Sequence, residues 1–194
     1  TTTQEVTKEH GRVYWSGVDW EARLAPDAAT PRLAPGVRAM VTRGDLGRII
    51  HVQGHFFQDW LLHATDYNWR LLASEGGKLR AVGDIGTHWI DVVSFILGAR
   101  AESVFAHIET FHKTRLRPKG EVQTFTGKGA APRATEPVKI TTEDYAAMLF
   151  RFKNGARGTL HVSQVNAGRK NCLRYEIAGS KCAVAWNSEQ PEDL

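Results

Sequence analysis

The residues from Gly86 to Gly98 predict a helix that is apolar on almost every side. Its large apolar residues are Trp89, Ile90, Val92, Val93, Phe95, Ile96 and Leu97. Such a helix has little room for a solvated face, so the rest of the domain must cover it nearly all round. The glycine at position 98 is a common signal for a helix C-terminus. This helix is the element around which the chain has to fold.

Three ionisable residues accompany this helix at helical spacing. If the helix begins near Gly86, Asp84 lies at its start, His88 one turn on and Asp91 a further turn along the same face. A neutral His88 beside a carboxylate is able to move a proton at a substrate hydroxyl near pH 7. Asp and His are also metal ligands, although a fourth ligand is not indicated. A third interpretation is structural, with Asp84 capping the helix and His88 hydrogen-bonded in the core.

Alternating apolar residues predict strands at Arg48–Phe57 and Ser103–His112, with a short helix at Pro35–Arg43 before them. Asn154-Gly155 predicts a hairpin between Tyr145–Lys153 and Arg157–Gln164, because both turn residues tolerate positive φ. Strands at Cys172–Ala178 and Cys182–Trp186 follow. We therefore expect an α+β domain, an open and predominantly antiparallel sheet whose last four strands form a meander. Helices should lie on one face, and the free face should bind a partner.

Two segments lack periodicity. Residues 1–31 are expected to form an irregular lead-in to a domain over residues 32–194. Residues 113–138 carry prolines, glycines and several basic side chains, which predicts a long loop. A basic loop is able to contact nucleic acid, but this one has almost no interleaved aromatic residues, so a solvated loop is the favoured interpretation.

The chain has 194 residues, enough for one domain, with 42% hydrophobic and 24% charged residues. The formal charge of +4 is too small to indicate nucleic-acid binding. No apolar run approaches the ~18 residues of a membrane span. The first ten residues lack the apolar core of a signal peptide, which favours the cytoplasm. Cys172 and Cys182 would not face each other across a turn at Gly179-Ser180, so two reduced, half-buried thiols are expected.

Several segments resemble, in order, the second domain of the Gfo/Idh/MocA family of oxidoreductases, named for glucose-fructose oxidoreductase, inositol dehydrogenase and a rhizopine-catabolism protein. The resemblance covers about residues 32–194. The matching segments are Gly44–Ile49, Trp69-Arg70, Gly76-Gly77, Gly83–Asp91, Leu97-Gly98, Thr142–Ala146, Arg151–Ala156 and Ser163–Asn171.

The resemblance implies a domain with an open sheet that carries the substrate site and pairs subunits into a homo-oligomer. Family members move a hydride between a sugar, polyol or related carbinol and NAD or NADP. By position, Asp84 and His88 match the residues at the reacting hydroxyl, with the histidine as acid/base. Trp69 and Arg70 match a loop at the domain junction, and Asn166 and Arg169 match a region near the substrate.

Two family features are missing. No strand is followed by Gly-x-Gly-x-x-Gly opening a helix, the arrangement that seats a dinucleotide, and the family's Glu-Lys-Pro triplet is missing. We therefore expect a substrate domain without its dinucleotide-binding domain, unable to transfer hydride by itself. The alternative is a non-catalytic carbohydrate-binding or dimerisation module derived from that family.

Overall fold

The computed structural model describes residues 5–9, 12–16, 34–119 and 134–191. Its strands are β1 (Glu5–Glu9), β2 (Arg12–Ser16), β3 (Ile49–Phe57), β4 (Ala101–Glu109), β5 (Thr114–Pro118), β6 (Thr135–Lys139), β7 (Tyr145–Phe152), β8 (Arg157–Ser163), β9 (Cys172–Gly179) and β10 (Ala183–Asn187). Its helices are α1 (Ala34–Arg43), α2 (Ala73–Gly76) and α3 (Thr87–Leu97). A 3₁₀ turn (Trp69–Leu71) precedes α2, and a π-helical turn (Val82–Gly86) leads into α3.

The main sheet has six of the described strands in the order β10-β9-β3-β8-β7-β4. Its pairings are antiparallel except for β3, which runs parallel to β8. The predicted α+β class with a mainly antiparallel sheet is confirmed. The predicted meander of the last four strands is wrong, because β3 lies between β8 and β9. Alternation in the sequence identifies individual strands. It does not show that a strand from a distant part of the chain lies between two strands that are consecutive in sequence.

Helix α3 covers one face of this sheet. Trp89 is fully buried and donates from its indole Nε1 to the carbonyl oxygen of Arg174 at 2.9 Å. The indole fits because β3 has Gly54 beneath it: a Cβ there would lie 2.3 Å from Trp89 Nε1. The helix ends where predicted, with Gly98 at φ 58°. The expected all-round burial is largely met, since Ile90, Val92, Val93, Ile96 and Leu97 are also buried.

The opposite face of the sheet keeps large apolar side chains in solvent. Phe105 on β4 and Leu149 on β7 are paired across the two strands and are 57% and 56% exposed. On the helix-covered face the same β7 strand buries Ala146, Met148, Phe150 and Phe152. We call the side that carries Phe105 and Leu149 the open face.

The predicted loop at 113–138 is wrong at both ends. β5 and β6 pair antiparallel there, with Leu116 opposite Pro137; residues 120–133 lie outside the described residues. Both strands are short and hold a proline each, which hides the alternation that identifies a strand. In the lead-in, β1 and β2 form an antiparallel hairpin, and residues 17–33 lie outside the description.

Cys172 is buried and Cys182 is exposed, both as free thiols, so the expected half-burial is wrong for each. Cys172 pairs in register with Phe57 and lies at the far end of β9 from the turn. Burial raises the pKa of the Cys172 thiol.

None of the helices in the described part of the chain is long and apolar enough to cross a membrane.

The start of the α3 segment is capped by a carboxylate from a distant loop. Glu143 accepts hydrogen bonds from the backbone N–H groups of Arg80 and Val82, each at 2.9 Å. Burial raises the pKa of Glu143. Since Glu143 occupies this position and Asp84 lies inside the π-helical turn, the helix-capping interpretation of Asp84 is wrong.

Next to this cap lies a buried ion cluster that we call the Arg–Asp–Arg cluster: Arg80, Asp144 and Arg115. Asp144 Oδ1 pairs with both guanidinium groups, and its Oδ2 accepts from the backbone N–H of His112 at 2.9 Å. The three side chains are fully buried. Burial alone would raise the pKa of Asp144, but the His112 N–H and the two arginines outweigh it and lower the pKa. The cluster joins the α2–α3 segment, the β5 hairpin strand and the start of β7.

We expect Asp144→Asn to lower the free energy of unfolding by about 3–5 kcal/mol, because it removes the carboxylate with which both buried guanidinium groups pair. A folded carboxyl with a lowered pKa stabilises above the unfolded value of about 3.9 and loses that contribution as pH falls through the folded pKa. The free energy of unfolding of the wild type should therefore decrease as the pH is lowered from about 4. The part of this decrease that comes from Asp144 should be missing in the variant. Urea unfolding across pH measures both effects.

The matched control is Asp45→Asn. Its ion pair with Arg43 is solvent-exposed, and exposed pairs contribute little to stability. Equal effects of the two substitutions would show that the cluster does not stabilise the fold.

Candidate functional site

A pocket of about 460 Å³ opens where β3 ends, beside the π-helical turn that leads into α3. One part of its wall is apolar and consists of Phe56, Trp60, Ile85, Leu173 and Trp186. The polar part consists of Gln58, Arg70, Asp84, His88, Lys170, Asn171 and Ser188. A concave site with aromatic walls and a few converging polar groups is typical of small-molecule binding.

Asp84 and His88 enter this pocket from consecutive helical turns. Asp84 belongs to the π-helical turn and His88 to the first turn of α3, so their separation of four residues places both on one side of the helix. His88 is exposed, with its ring centroid 6.3 Å from that of Phe56. The interpretation of His88 as a buried core histidine is therefore wrong. The site offers a carboxylate and an imidazole that a ligand can reach.

Two side chains hold the carboxylate of Asp84. Gln164 donates from Nε2 to Asp84 Oδ2 at 2.8 Å, and Arg70 Nε lies 3.4 Å from Asp84 Oδ1. The Arg70 guanidinium in turn lies over the Trp69 ring, 4.6 Å from its centroid. Asn68 Oδ1 accepts from the backbone N–H of Arg70 at 3.1 Å, which fixes the 3₁₀ turn. Each oxygen of Asp84 thus faces a donor.

The far wall is built from side chains of two loops, and sequence reasoning did not assign these side chains to the site: Gln58, Trp60, Lys170 and Asn171. Gln58 donates to Asn171 Oδ1 at 2.8 Å and accepts from the indole N–H of Trp60 at 2.9 Å. Lys170 pairs with Asp59 at 2.6 Å. Their positions in the sequence could have indicated this role. Gln58 and Trp60 directly follow a strand, and Lys170 and Asn171 end a segment that resembles the family. Loops after strands often carry binding residues.

The structure brings Asp84, His88 and Arg70 together in the pocket wall. Trp69 is 42% exposed and contacts Arg70 from behind. Among the described residues, Trp69, Asn166 and Arg169 do not line the pocket.

Asn166 and Arg169 lie instead in the loop that forms its edge. The Asn166 N–H donates to the Gln58 carbonyl at 2.9 Å, and Arg169 pairs with Glu189 at 2.5 Å. Asp91 lies a turn beyond His88 on α3 and does not contribute to the wall that the structure describes.

The described residues contain no group of three or more His, Cys, Asp or Glu side chains arranged to hold a metal ion. Over the described ranges, no helix directly follows a strand through a Gly-x-Gly-x-x-Gly turn, the arrangement that binds a pyrophosphate. The chemistry available in this pocket is hydrogen bonding, aromatic contact and proton transfer.

A sequence model of the family described as "GFO/IDH/MocA C-terminal domain" matches residues 36–185. The chain is also similar to levoglucosan dehydrogenase of Pseudarthrobacter phenanthrenivorans, with 28% identity over 166 residues, which are 85% of this chain and 41% of that enzyme.

Solved structures agree. An oxidoreductase domain protein from Kribbella flavida matches with 34% identity and a TM-score of 0.69, over 81% of this chain and 39% of that chain. A levoglucosan dehydrogenase in complex with NADH and L-sorbose matches with 27% identity and a TM-score of 0.69, over 84% and 39% of the two chains. This chain therefore spans about two fifths of the length of these relatives.

Proposed function

This chain belongs to the Gfo/Idh/MocA family, since the model of that family's C-terminal domain matches residues 36–185, and we propose that it is the substrate-binding part of an NAD(P)-dependent oxidoreductase. The proposed substrate is a sugar, a polyol or a related CH–OH compound. Relatives named for levoglucosan and glucose 6-phosphate, and a structure with NADH and L-sorbose, support this class.

The observation that carries the proposal is the placement of Asp84 and His88 in one aromatic-walled pocket. Phe56, Trp60 and Trp186 supply aromatic surface to the wall, and the polar residues of the wall supply donors and acceptors for hydroxyl groups. This combination suits a ligand with many hydroxyls and an apolar ring face.

In this proposal His88 is the acid/base and Asp84 orients the reacting hydroxyl. The carboxylate of Asp84 accepts a hydrogen bond from an adjacent hydroxyl of the substrate, which leaves the single O–H of the reacting hydroxyl directed at His88. The imidazole takes the hydroxyl proton as the carbon is oxidised and returns it in the reverse direction. In this proposal the chain's own residues bind the substrate, orient it and move that proton.

The proposal includes a cytoplasmic location. The two free cysteines support it, since reduced thiols are the normal state in a reducing compartment.

His88→Ala tests the site directly. We expect the chain to bind at least one of levoglucosan, L-sorbose, myo-inositol or glucose, and the substitution to weaken that binding roughly tenfold, about the effect of losing one hydrogen bond. Ligand-observed NMR titration with each sugar gives the dissociation constants.

The matched control is His51→Ala. His51 is also exposed but lies on β3 outside the pocket wall, so its removal should leave the affinity unchanged. A wild-type chain that binds none of the sugars would contradict the proposal. Sugar binding that is indifferent to His88 would favour the non-catalytic binding module instead.

A specific observation also supports pairing of two copies. Phe105 and Leu149 lie side by side in register on the open face, both more than half exposed. Exposed apolar residues that are contiguous on a sheet mark an interaction surface. We propose a homo-oligomer through this face, which serves equally an enzyme or the alternative dimerisation module.

Leu149→Lys should convert that oligomer into a monomer, because it places a charge within an apolar contact. Sedimentation velocity should give a mass near 21.6 kDa for the variant and a multiple of it for the wild type. Ser74→Lys adds the same side chain at an exposed position on α2 and should leave the oligomer intact. A monomeric wild type at high concentration would contradict this proposal.

A further inference from the structure

A hydrogen-bonded chain links the buried Arg–Asp–Arg cluster to the pocket through one amide. Gln164 is fully buried and directly follows β8. Its Oε1 accepts from Arg80 Nη1 at 2.8 Å, and its Nε2 donates to Asp84 Oδ2 at 2.8 Å. Gln164 is absent from the pocket wall in the described structure, and its side chain is linked to the pocket through Asp84.

The orientation of this amide is fixed by its partner. A guanidinium only donates hydrogen bonds, so the atom of Gln164 that faces Arg80 has to be the carbonyl oxygen. The amide nitrogen must then face Asp84. Arg80 is itself held by Asp144 through an ion pair and by Thr142 through a 3.3 Å hydrogen bond. Rotation of the Gln164 amide would break two buried hydrogen bonds at once.

The other groups around Asp84 do not fix it in the same way. Arg70 Nε lies at 3.4 Å from the second carboxylate oxygen, and the two side chains are 32% and 28% exposed. His88 and Lys170 reach the same pocket, and Lys170 is already paired with Asp59. The hydrogen bond from the buried amide of Gln164 is therefore the contact that fixes the orientation of the Asp84 carboxylate.

We propose that Gln164, oriented by Arg80, is a positioning residue that holds Asp84 as a hydrogen-bond acceptor aimed into the pocket. The role assigned to Asp84 rests on the proposed function. The hydrogen bond itself does not, so the two are tested separately.

The first test needs no sugar. The side-chain NH₂ of Gln164, assigned in NMR spectra by its disappearance in Gln164→Glu, should exchange slowly with solvent. In Asp84→Ala its resonances should shift and its exchange should speed up roughly tenfold or more, since its acceptor is gone. An amide that exchanges rapidly in the wild type, or ignores Asp84→Ala, overturns the proposal whatever the chain binds.

The second test uses Gln164→Glu and a sugar that the wild type binds. A glutamate can still accept from Arg80 but cannot donate to Asp84 unless the two carboxylates share a proton. We expect the variant to bind roughly tenfold more weakly near pH 8 and to recover as the pH is lowered. A purely structural role for Gln164 predicts a loss that does not vary with pH, and that result would overturn the proposal.

The matched control is Gln53→Glu. Gln53 also donates to a carboxylate, Glu176 at 3.2 Å, but it is exposed and lies outside the pocket wall. Gln53→Glu likewise places two carboxylates side by side, but outside the pocket, so it should leave sugar affinity and its pH dependence unchanged. If the wild type binds no sugar while the amide test succeeds, the proposed function fails and the positioning of Asp84 by Gln164 stands.

Discussion

The fold depends on one carboxylate that pairs with two buried arginines. Asp144 connects Arg80, at the start of the helical segment, with Arg115 on the β5 strand. Three fully buried charged side chains tolerate no loose geometry, because each one that loses its partner is left as an uncompensated charge. Neighbouring Glu143 holds the backbone of the same segment at Arg80 and Val82. Together the two acidic residues fix where the helix begins, and hence where Asp84 and His88 enter the pocket.

The position of β3 determines where the pocket can form. Because β3 runs parallel to β8 and lies between β8 and β9, residues 164–171 must cross the end of β3 to reach β9. Two backbone hydrogen bonds hold the crossing: the Gln58 N–H donates to the carbonyl of Ser163, and the Asn166 N–H donates to the carbonyl of Gln58. It brings Lys170 and Asn171 opposite the helical turn that carries Asp84. A plain meander would have placed this loop elsewhere, so the insertion of β3 creates the far wall.

Local signals in the sequence predicted the elements but not their arrangement. The α3 helix and its end at Gly98 follow from apolar composition and one glycine, and the β7–β8 hairpin from Asn154-Gly155, which the structure confirms with φ 88° at Gly155. The parallel neighbour β3 and the buried arginines could not be read in this way. Arg80 and Arg115 resemble ordinary surface arginines in sequence, and only their shared contact with Asp144 makes burial possible. For the same reason the spacing of Asp84 and His88 identified a shared face without revealing that Gln164 holds one of them.

The charges in the pocket are largely compensated before any ligand arrives. Arg70 faces Asp84, and Lys170 is paired with Asp59, so the formal charge of +4 of the chain is not concentrated there. A pocket with little net field gains little from a charged ligand and discriminates by the direction of its hydrogen bonds and by contact with its aromatic walls. Directional recognition in turn requires that each donor and acceptor stay fixed. That requirement explains why the carboxylate of Asp84 is anchored through a buried amide to a buried ion cluster, and why the stability of the core and the geometry of the pocket are parts of the same network.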